Sequence, residues 1–287
     1  MRKIQETAPA KINLFLKVIG RRHDGYHLLY SHVAFSNDIS DTLTFHPDGQ
    51  AFRLNVKGPF SKGTPENADN LVYKAAQKMS DKFNLPFTGR LILHKNLPSA
   101  AGIGGGSADA AAMIRILIKH HNITDMKAVK KLALELGADV PMCLDSQPAL
   151  VKGVGENIYP VRNAPPCGIL LINPKQHVST PAVFKELKMA FNPILTKKNS
   201  SGFHDYFNWL SQHTNDLAAP AAKICPDINH VLDALRRDKN ARLIRMSGSG
   251  ATCFALYENE GAAKKAARRL KKHHKNWWVK SGTINRP

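Results

Sequence analysis

The chain has 287 residues, 43% of them hydrophobic and 22% charged, the proportions of a folded globular protein and not of a disordered chain or a fibrous repeat. Its apolar runs, such as residues 169–172, fall far short of the roughly 20 residues that a membrane-spanning helix needs. Residues 1–9 place Gln5, Glu6 and Thr7 where a signal peptide carries its apolar segment, so a cytoplasmic protein with no membrane partner is expected. Lys and Arg number 41 against 22 Asp and Glu, a net charge of +19 that attracts any polyanion, nucleotide and nucleic acid alike.

The predicted elements begin with a strand over residues 10–19, where Ile12, Leu14, Leu16 and Val18 alternate with Lys11, Asn13, Phe15 and Lys17; the first set is expected to face the core. Residues 20–25 read as a polar turn, and residues 28–35, 42–45, 53–56 and 91–94 as further strands. Leu71, Ala75, Met79 and Phe83 recur at helical spacing behind Asn70, a residue suited to cap a helix over 70–83. Four glycines at 102, 104, 105 and 106 then precede a helix over 108–121 with Ala111, Ile114, Leu117 and Ile118 on its buried stripe. Helices over 128–136, 182–189, 204–210 and 228–235 follow, with a buried strand at 168–172 and a glycine-rich turn at 247–250 flanked by strands.

The last predicted element is a basic amphipathic helix in which Ala262, Ala263, Ala266, Ala267 and Leu270 alternate with cationic residues of a segment that carries Lys264, Lys265, Arg268, Arg269, Lys271, Lys272 and Lys275. Without aromatic residues among those charges it reads as a solvated helix face and not as a nucleic-acid site. Cys143, Cys167, Cys225 and Cys253 contain no chelating pair and read as free, buried thiols. His120 with His121 and His273 with His274 are chain neighbours, whose side chains are expected to diverge on a helix, and no zinc-type spacing occurs.

The segment Leu97-Pro-Ser-Ala-Ala-Gly-Ile-Gly-Gly-Gly-Ser107 carries most of the chemistry. Glycines directly before a helix let backbone N–H groups approach phosphate oxygens, and the helix N-terminus favours negative charge. No Lys follows the glycines, which excludes the P-loop, and the strand-linked dinucleotide fingerprint lacks its acidic partner. A tight turn is the plain alternative.

Residues 98–108 resemble the central phosphate-binding motif of the GHMP kinases. Ala8-Pro-Ala-Lys-Ile-Asn-Leu14 resembles the N-terminal motif of that family, and Met246-Ser-Gly-Ser-Gly-Ala-Thr252 its C-terminal glycine-rich motif. Three motifs in the family's order, spread over nearly the whole chain, are far more specific than any one of them. Arg21-Arg-His-Asp-Gly-Tyr-His27 and Leu136-Gly-Ala-Asp-Val-Pro141 are further similar to segments of one member whose acceptor is a cytidine-diphosphate-linked alcohol. The chain reads Ser99-Ala-Ala where that member often has further glycine.

The resemblance implies a two-lobed α+β architecture with the active site in the cleft between lobes, an N-terminal domain over 1–165 and a C-terminal domain over 166–287. It implies ATP as co-substrate, with Mg2+, and transfer of the γ-phosphoryl group to a tertiary hydroxyl of the cytidine-linked alcohol. Pro98, Ser99, Ala100, Ala101, Gly102, Ile103, Gly104, Gly105, Gly106, Ser107 and Ala108 would bind ATP, and Ser107 would cap the helix while reaching phosphate or magnesium.

A neutral hydroxyl must lose its proton as the phosphoryl group arrives, and Asp139 is the candidate base. Lys11 would orient it and offset developing negative charge. Asn13, two residues on and on the same strand face, would hold the substrate. Tyr26 and Phe184 would form two walls around the cytosine and His27 would read its edge, although Phe184 alone reads as core. The turn at 247–251 would line the substrate phosphates or merely reverse the chain. The competing readings are another GHMP small-molecule kinase, a basic RNA-binding protein without a recognised RNA motif, and an ATP-binding fold without catalysis. No protein partner, specific nucleic acid or oligomeric state is signalled by the sequence.

Overall fold

The computed structural model describes residues 3–188 and 202–285. In chain order the elements are β1 (Ile4–Arg21), β2 (His27–Ala51), β3 (Arg53–Lys57), α1 (Leu71–Phe83), β4 (Thr88–His94), α2 (Gly105–His121), α3 (Met126–Leu136) and α4 (Val140–Asp145). They continue with β5 (Ala149–Gly153), β6 (Asn157–Pro160), β7 (Cys167–Asn173), α5 (Thr180–Lys185), α6 (Phe203–Ser211), α7 (Ala218–Ile224) and α8 (Asp227–Arg236). The last are β8 (Leu243–Met246), β9 (Cys253–Tyr257), α9 (Glu260–His273) and β10 (Trp278–Ile284). The helix predicted over 182–189 is α5, shorter and shifted; Met189 lies outside the described residues. No helix of the described residues is long and apolar enough to cross a membrane, and all four cysteines are free and buried.

The described residues form two compact units that interleave along the chain. One takes the residues up to Ala10 with Ile39–Ser99 and Gly104–Ser146; the second takes Lys11–Asp38, Ala100–Ile103 and the residues from Gln147 onward. The long strands β1 and β2 each contribute to both units, so compactness here does not follow a cut at 165/166.

In the first unit the C-terminal part of β2 pairs antiparallel with β4, Leu43 opposite Leu93 and Phe45 opposite Leu91, while β3 runs parallel to β4 with Leu54 opposite Leu91. Parallel pairing of β3 and β4 requires a crossover, and α1 supplies it. Asn70 caps α1 by accepting from the Val72 N–H at 2.9 Å, as its sequence position predicts, and Val72, Ala75, Ala76 and Met79 are buried. Helix α2 buries far more than the predicted stripe: Ala108 and Ala110–Ile114 are all inside, as are Ile116 and Leu117, because α1 and α4 both pack on it. A helix that is apolar around most of its circumference belongs in the centre of its unit.

The second unit is built on a four-stranded antiparallel sheet in the order β10-β7-β9-β8. Every residue of β7 is buried, consistent with its continuous apolar run. Helix α9 covers the sheet with Ala263, Ala266, Ala267 and Leu270, leaving its cationic side outward, where Glu260 pairs with Lys264 and Asp238 with Arg269. The first part of β2 pairs with β5, Ser31 opposite Val151, and β5 with β6.

On β1, Lys11, Asn13 and Phe15 are as buried as Ile12, Leu14 and Leu16, which corrects the expectation of one inward face. Both sides of the strand are covered, and the polar side carries the residues singled out for chemistry.

Gly168 on β7 shows how closely α9 approaches the sheet: a Cβ there would lie 2.1 Å from the carbonyl oxygen of Asn259, the residue that caps α9. Gly168→Ala must displace the helix start, and urea unfolding is expected to register a loss of about 2 kcal/mol or more.

Candidate active site

All three glycine- or lysine-bearing motifs meet in the second unit. The Lys11 N–H donates to the Ile103 carbonyl at 2.9 Å, and the Thr252 N–H to the Ala101 carbonyl at 3.2 Å. Ser247 Oγ donates to the Gly102 carbonyl at 2.8 Å and accepts from the Asn13 N–H at 3.1 Å. The N-terminal strand, the crest of the glycine loop and the C-terminal turn are thereby joined by consecutive hydrogen bonds. Lys11 is only 5% exposed and Asn13 4%. Asn13 Nδ2 donates to Ser31 Oγ at 2.8 Å, and Ser31 Oγ to the Phe15 carbonyl at 2.6 Å, while Asn13 Oδ1 has no hydrogen-bond partner among the described residues. A buried acceptor without a donor carries a desolvation cost that a ligand hydroxyl or amine can relieve.

The C-terminal turn is fixed from behind. Asn215 Nδ2 donates to the carbonyls of Met246 and Gly248, each at 2.8 Å, and Thr180 Oγ1 shares a 2.7 Å hydrogen bond with Ser249 Oγ. Thr180 opens α5, so this bond ties the helix carrying Phe184 to the turn. Neither Asn215 nor Ser31 is legible in the sequence as a site residue; each lies outside the three motifs and acts only through the fold.

In the first unit the glycine loop runs into α2. The helix starts at Gly105, three residues before its predicted start, with Gly104 as N-cap and no side-chain cap on its first turn. Ser107 is the third residue of the helix and does not occupy the capping position expected of it. The first intrahelical bond, Ala108 N–H to Gly104 carbonyl at 2.9 Å, leaves the N–H groups of Gly105, Gly106 and Ser107 without helical acceptors. A Cβ on Gly106 would meet nothing within 4 Å, so the first turn faces open space. Uncapped N–H groups, a favourable dipole and free approach make an anion cradle.

Beneath that turn lie Lys95, Asp41 and Asp109, all nearly inaccessible. Lys95 Nζ donates to Asp109 Oδ2 at 2.7 Å and to Asp41 Oδ2, while Asp41 Oδ1 accepts from the Asn96 N–H and, at 2.8 Å, from the Leu97 N–H. Burial first, and Asp41 in addition, push the Asp109 carboxyl up to about 8 against the pull of the Lys95 ammonium.

Asp139, the N-cap residue of the short helix α4, is half-buried. The far end of α4 is held by Arg115 of α2, whose Nη1 donates to the Cys143 carbonyl at 2.7 Å; its Nη2 donates to the Thr7 carbonyl at 2.6 Å and its Nε to Glu6 Oε2 at 3.1 Å. One helix thus carries the cradle at its start and grips, from its middle, the helix that carries the candidate base.

Of the proposed cytosine group, Tyr26 is 66% exposed, whereas the His27 and Phe184 rings stack on each other at 4.7 Å and 25°. The structure thus brings His27 and Phe184 together and leaves Tyr26 outward. Burial, and then the Arg21 charge, lower the His27 pKa and favour a neutral ring that can donate at one nitrogen and accept at the other.

The His120 and His121 rings touch edge to face at 4.5 Å and do not diverge, yet among the described residues no three His, Cys, Asp or Glu side chains gather to hold a metal ion.

Residues 70–147 match the GHMP kinases N terminal domain, and residues 196–276 the GHMP kinases C terminal domain. A 4-diphosphocytidyl-2-C-methyl-D-erythritol kinase of Bradyrhizobium diazoefficiens is 42% identical over 292 residues, covering 98% of this chain and 97% of that protein. One from Roseobacter denitrificans is 44% identical over 282 residues, covering 96% and 92%. The crystal structure of a 4-(cytidine 5'-diphospho)-2C-methyl-D-erythritol kinase superposes with a TM-score of 0.80 at 31% identity, over 99% of this chain and 100% of that one. The homoserine kinase of Cytophaga hutchinsonii shares the fold, with a TM-score of 0.73 at 17% identity over 99% and 94%.

The junction of the motifs is sensitive at Gly102, where φ is +73° and a Cβ would lie 2.3 Å from the Ser247 carbonyl oxygen and 2.8 Å from the Gly250 nitrogen. Both obstacles are backbone and cannot swing aside. Gly102→Ala is expected to lower stability by about 2 kcal/mol or more in urea unfolding and to weaken ATP binding in calorimetric titration of the protein that remains folded.

Proposed function

The chain belongs to the GHMP kinases, and from that premise we propose that it transfers the γ-phosphoryl group of ATP to the 2-hydroxyl of 4-diphosphocytidyl-2-C-methyl-D-erythritol. The products are the 2-phosphate and ADP, and the step belongs to non-mevalonate isoprenoid precursor biosynthesis. The observation that carries the reading is the near-full-length identity of 42% to a kinase of that name, together with the hydrogen-bonded junction of the three motifs. The family's two domain matches fall on either side of residue 165, which supports 1–165 and 166–287 as its N-terminal and C-terminal halves.

In this reading the first turn of α2 receives the nucleotide phosphates on the N–H groups of Gly105, Gly106 and Ser107, within the ATP-binding segment 98–108. Ser107 would help to hold a magnesium ion carried on those phosphates, which would supply charge neutralisation there. Asp139 takes the proton of the tertiary hydroxyl as its oxygen bonds to the γ-phosphorus and the bond from that phosphorus to the β-phosphate bridging oxygen breaks. Lys11 stabilises the negative charge that spreads over the transferring group. The unpartnered Oδ1 of Asn13 accepts from a substrate hydroxyl.

The cytidine would be bound by His27, Phe184 and Tyr26. The stacked His27 and Phe184 rings offer an aromatic surface, and the exposed Tyr26 can close over a base from outside. A neutral His27 can read a cytosine edge. The outward cationic face of α9 is partly matched by Glu260 and Asp238, which supports a solvated helix over a specific nucleic-acid site.

Phosphorylation of the cytidine-linked alcohol, compared with mevalonate, homoserine and galactose under the same ATP concentration, tests the acceptor. Product is expected from the first alone; product from another alcohol instead would assign the chain to a different small-molecule kinase. Asp139→Asn is expected to lower single-turnover rates by about two to four orders of magnitude while ATP affinity stays within about threefold. A rate within a few-fold of the parent protein would remove Asp139 from the role of base.

A further inference from the structure

A fully buried lysine between two buried carboxylates is an expensive arrangement, and its place beneath a glycine loop calls for a reason. Lys95 is 3% exposed and Asp109 2%. Replacing such a cluster by apolar side chains of similar volume often leaves stability unchanged or raises it, so stability alone is a weak reason for it. What the cluster does geometrically is specific. Asp41 on β2 holds the N–H groups of Asn96 and Leu97, where the loop begins. Asp109 lies in the second turn of α2, where the loop has ended. Lys95 joins the two through the same ammonium group. A Cβ on Gly105 would lie 3.5 Å from Lys95 Nζ and 3.8 Å from Asp41 Oδ2, so the cluster forms the floor of the first turn of α2.

We infer that Asp41, Lys95 and Asp109 are positioning residues for the nucleotide: they pin both ends of the glycine loop and set the direction of the N–H groups that α2 presents to phosphate. The inference rests on the nucleotide-binding reading of that loop. None of the three touches the reacting atoms; each acts through the backbone. The ammonium is the joint because one cationic group that donates to both Asp41 and Asp109 fixes their separation more tightly than two independent neutral hydrogen bonds would. Without it the loop keeps its glycines and its sequence but loses the fixed spacing of its ends, and N–H groups that point in varied directions bind phosphate less well.

The test uses the variant Asp41→Asn/Lys95→Met/Asp109→Leu, which removes all buried charge and keeps a carbonyl oxygen at position 41 for the N–H groups of Asn96 and Leu97. Two readouts are taken on the full chain: hydrogen exchange of the amides of residues 97–108 relative to those of α3, and the KM for ATP against the KM for the acceptor. Loop exchange about tenfold or more faster, with a KM for ATP raised about tenfold and an acceptor KM within about twofold, is the expected result. Unchanged loop exchange overturns the inference. Faster exchange with an unchanged KM for ATP leaves the pinning intact and overturns the nucleotide reading of the loop instead. Should the triple variant not fold, Asp109→Asn decides by the same two readouts: a selective rise of about threefold in both loop exchange and the KM for ATP supports the inference, and parent values overturn it.

Discussion

The hydroxyl of Ser247 accepts from the Asn13 N–H and donates to the Gly102 carbonyl. Through that one oxygen the N-terminal strand, the crest of the glycine loop and the C-terminal turn hold a common geometry. The residues of chemical interest on β1 are positioned by it, because Lys11 is further tied by its own N–H to Ile103. A serine suits this position because a single hydroxyl can donate and accept at once. The glycines around it allow the three backbones to approach within hydrogen-bond distance, as the 2.3 Å obstruction at Gly102 illustrates. The supports from Asn215 and Thr180 then keep the turn from moving away from the loop.

The first unit solves a related problem with charge. The first turn of α2, proposed to receive phosphate, begins at glycines with no side-chain cap across it. Its orientation is instead secured from below by the Asp41, Lys95 and Asp109 cluster and along its length by apolar packing against α1 and α4. Arg115 extends the same rigidity to the end of α4, where it donates to the Cys143 and Leu144 carbonyls of the last turn. A kinase that works by positioning and charge stabilisation needs such stiffness more than it needs reactive groups.

Short-range patterns are legible in the sequence itself. Asn70 announces α1, the alanines and lysines of α9 separate into an inner and an outer face, and the glycines announce the start of α2. The three motifs also identify the family, because their spacing along the chain survives as sequence. Features that depend on what packs against an element were not readable. Lys11, Asn13 and Phe15 look like the wet side of a strand and are buried because a second layer covers them. The short elements β5, β6, α4 and α7 carry few residues for periodicity to declare them, and β10, seven residues long, interrupts its apolar residues with Lys280, Ser281 and Gly282. Asp41 and Asp109 stand 68 positions apart, and nothing in either neighbourhood marks them as partners of one lysine. The stacking of His27 on Phe184 is likewise a product of the fold of the second unit and is not announced by either residue's neighbours in sequence.

The proposed phosphate cradle of this small-molecule kinase is the first turn of α2. A crystal structure of the protein with a non-hydrolysable ATP analogue and the cytidine-linked alcohol tests it most directly. Phosphate oxygens are expected within hydrogen-bond distance of the N–H groups of Gly105, Gly106 and Ser107, with the cytosine against His27 or Phe184. Phosphates seated elsewhere, with the first turn of α2 open to solvent in the ternary complex, would contradict it.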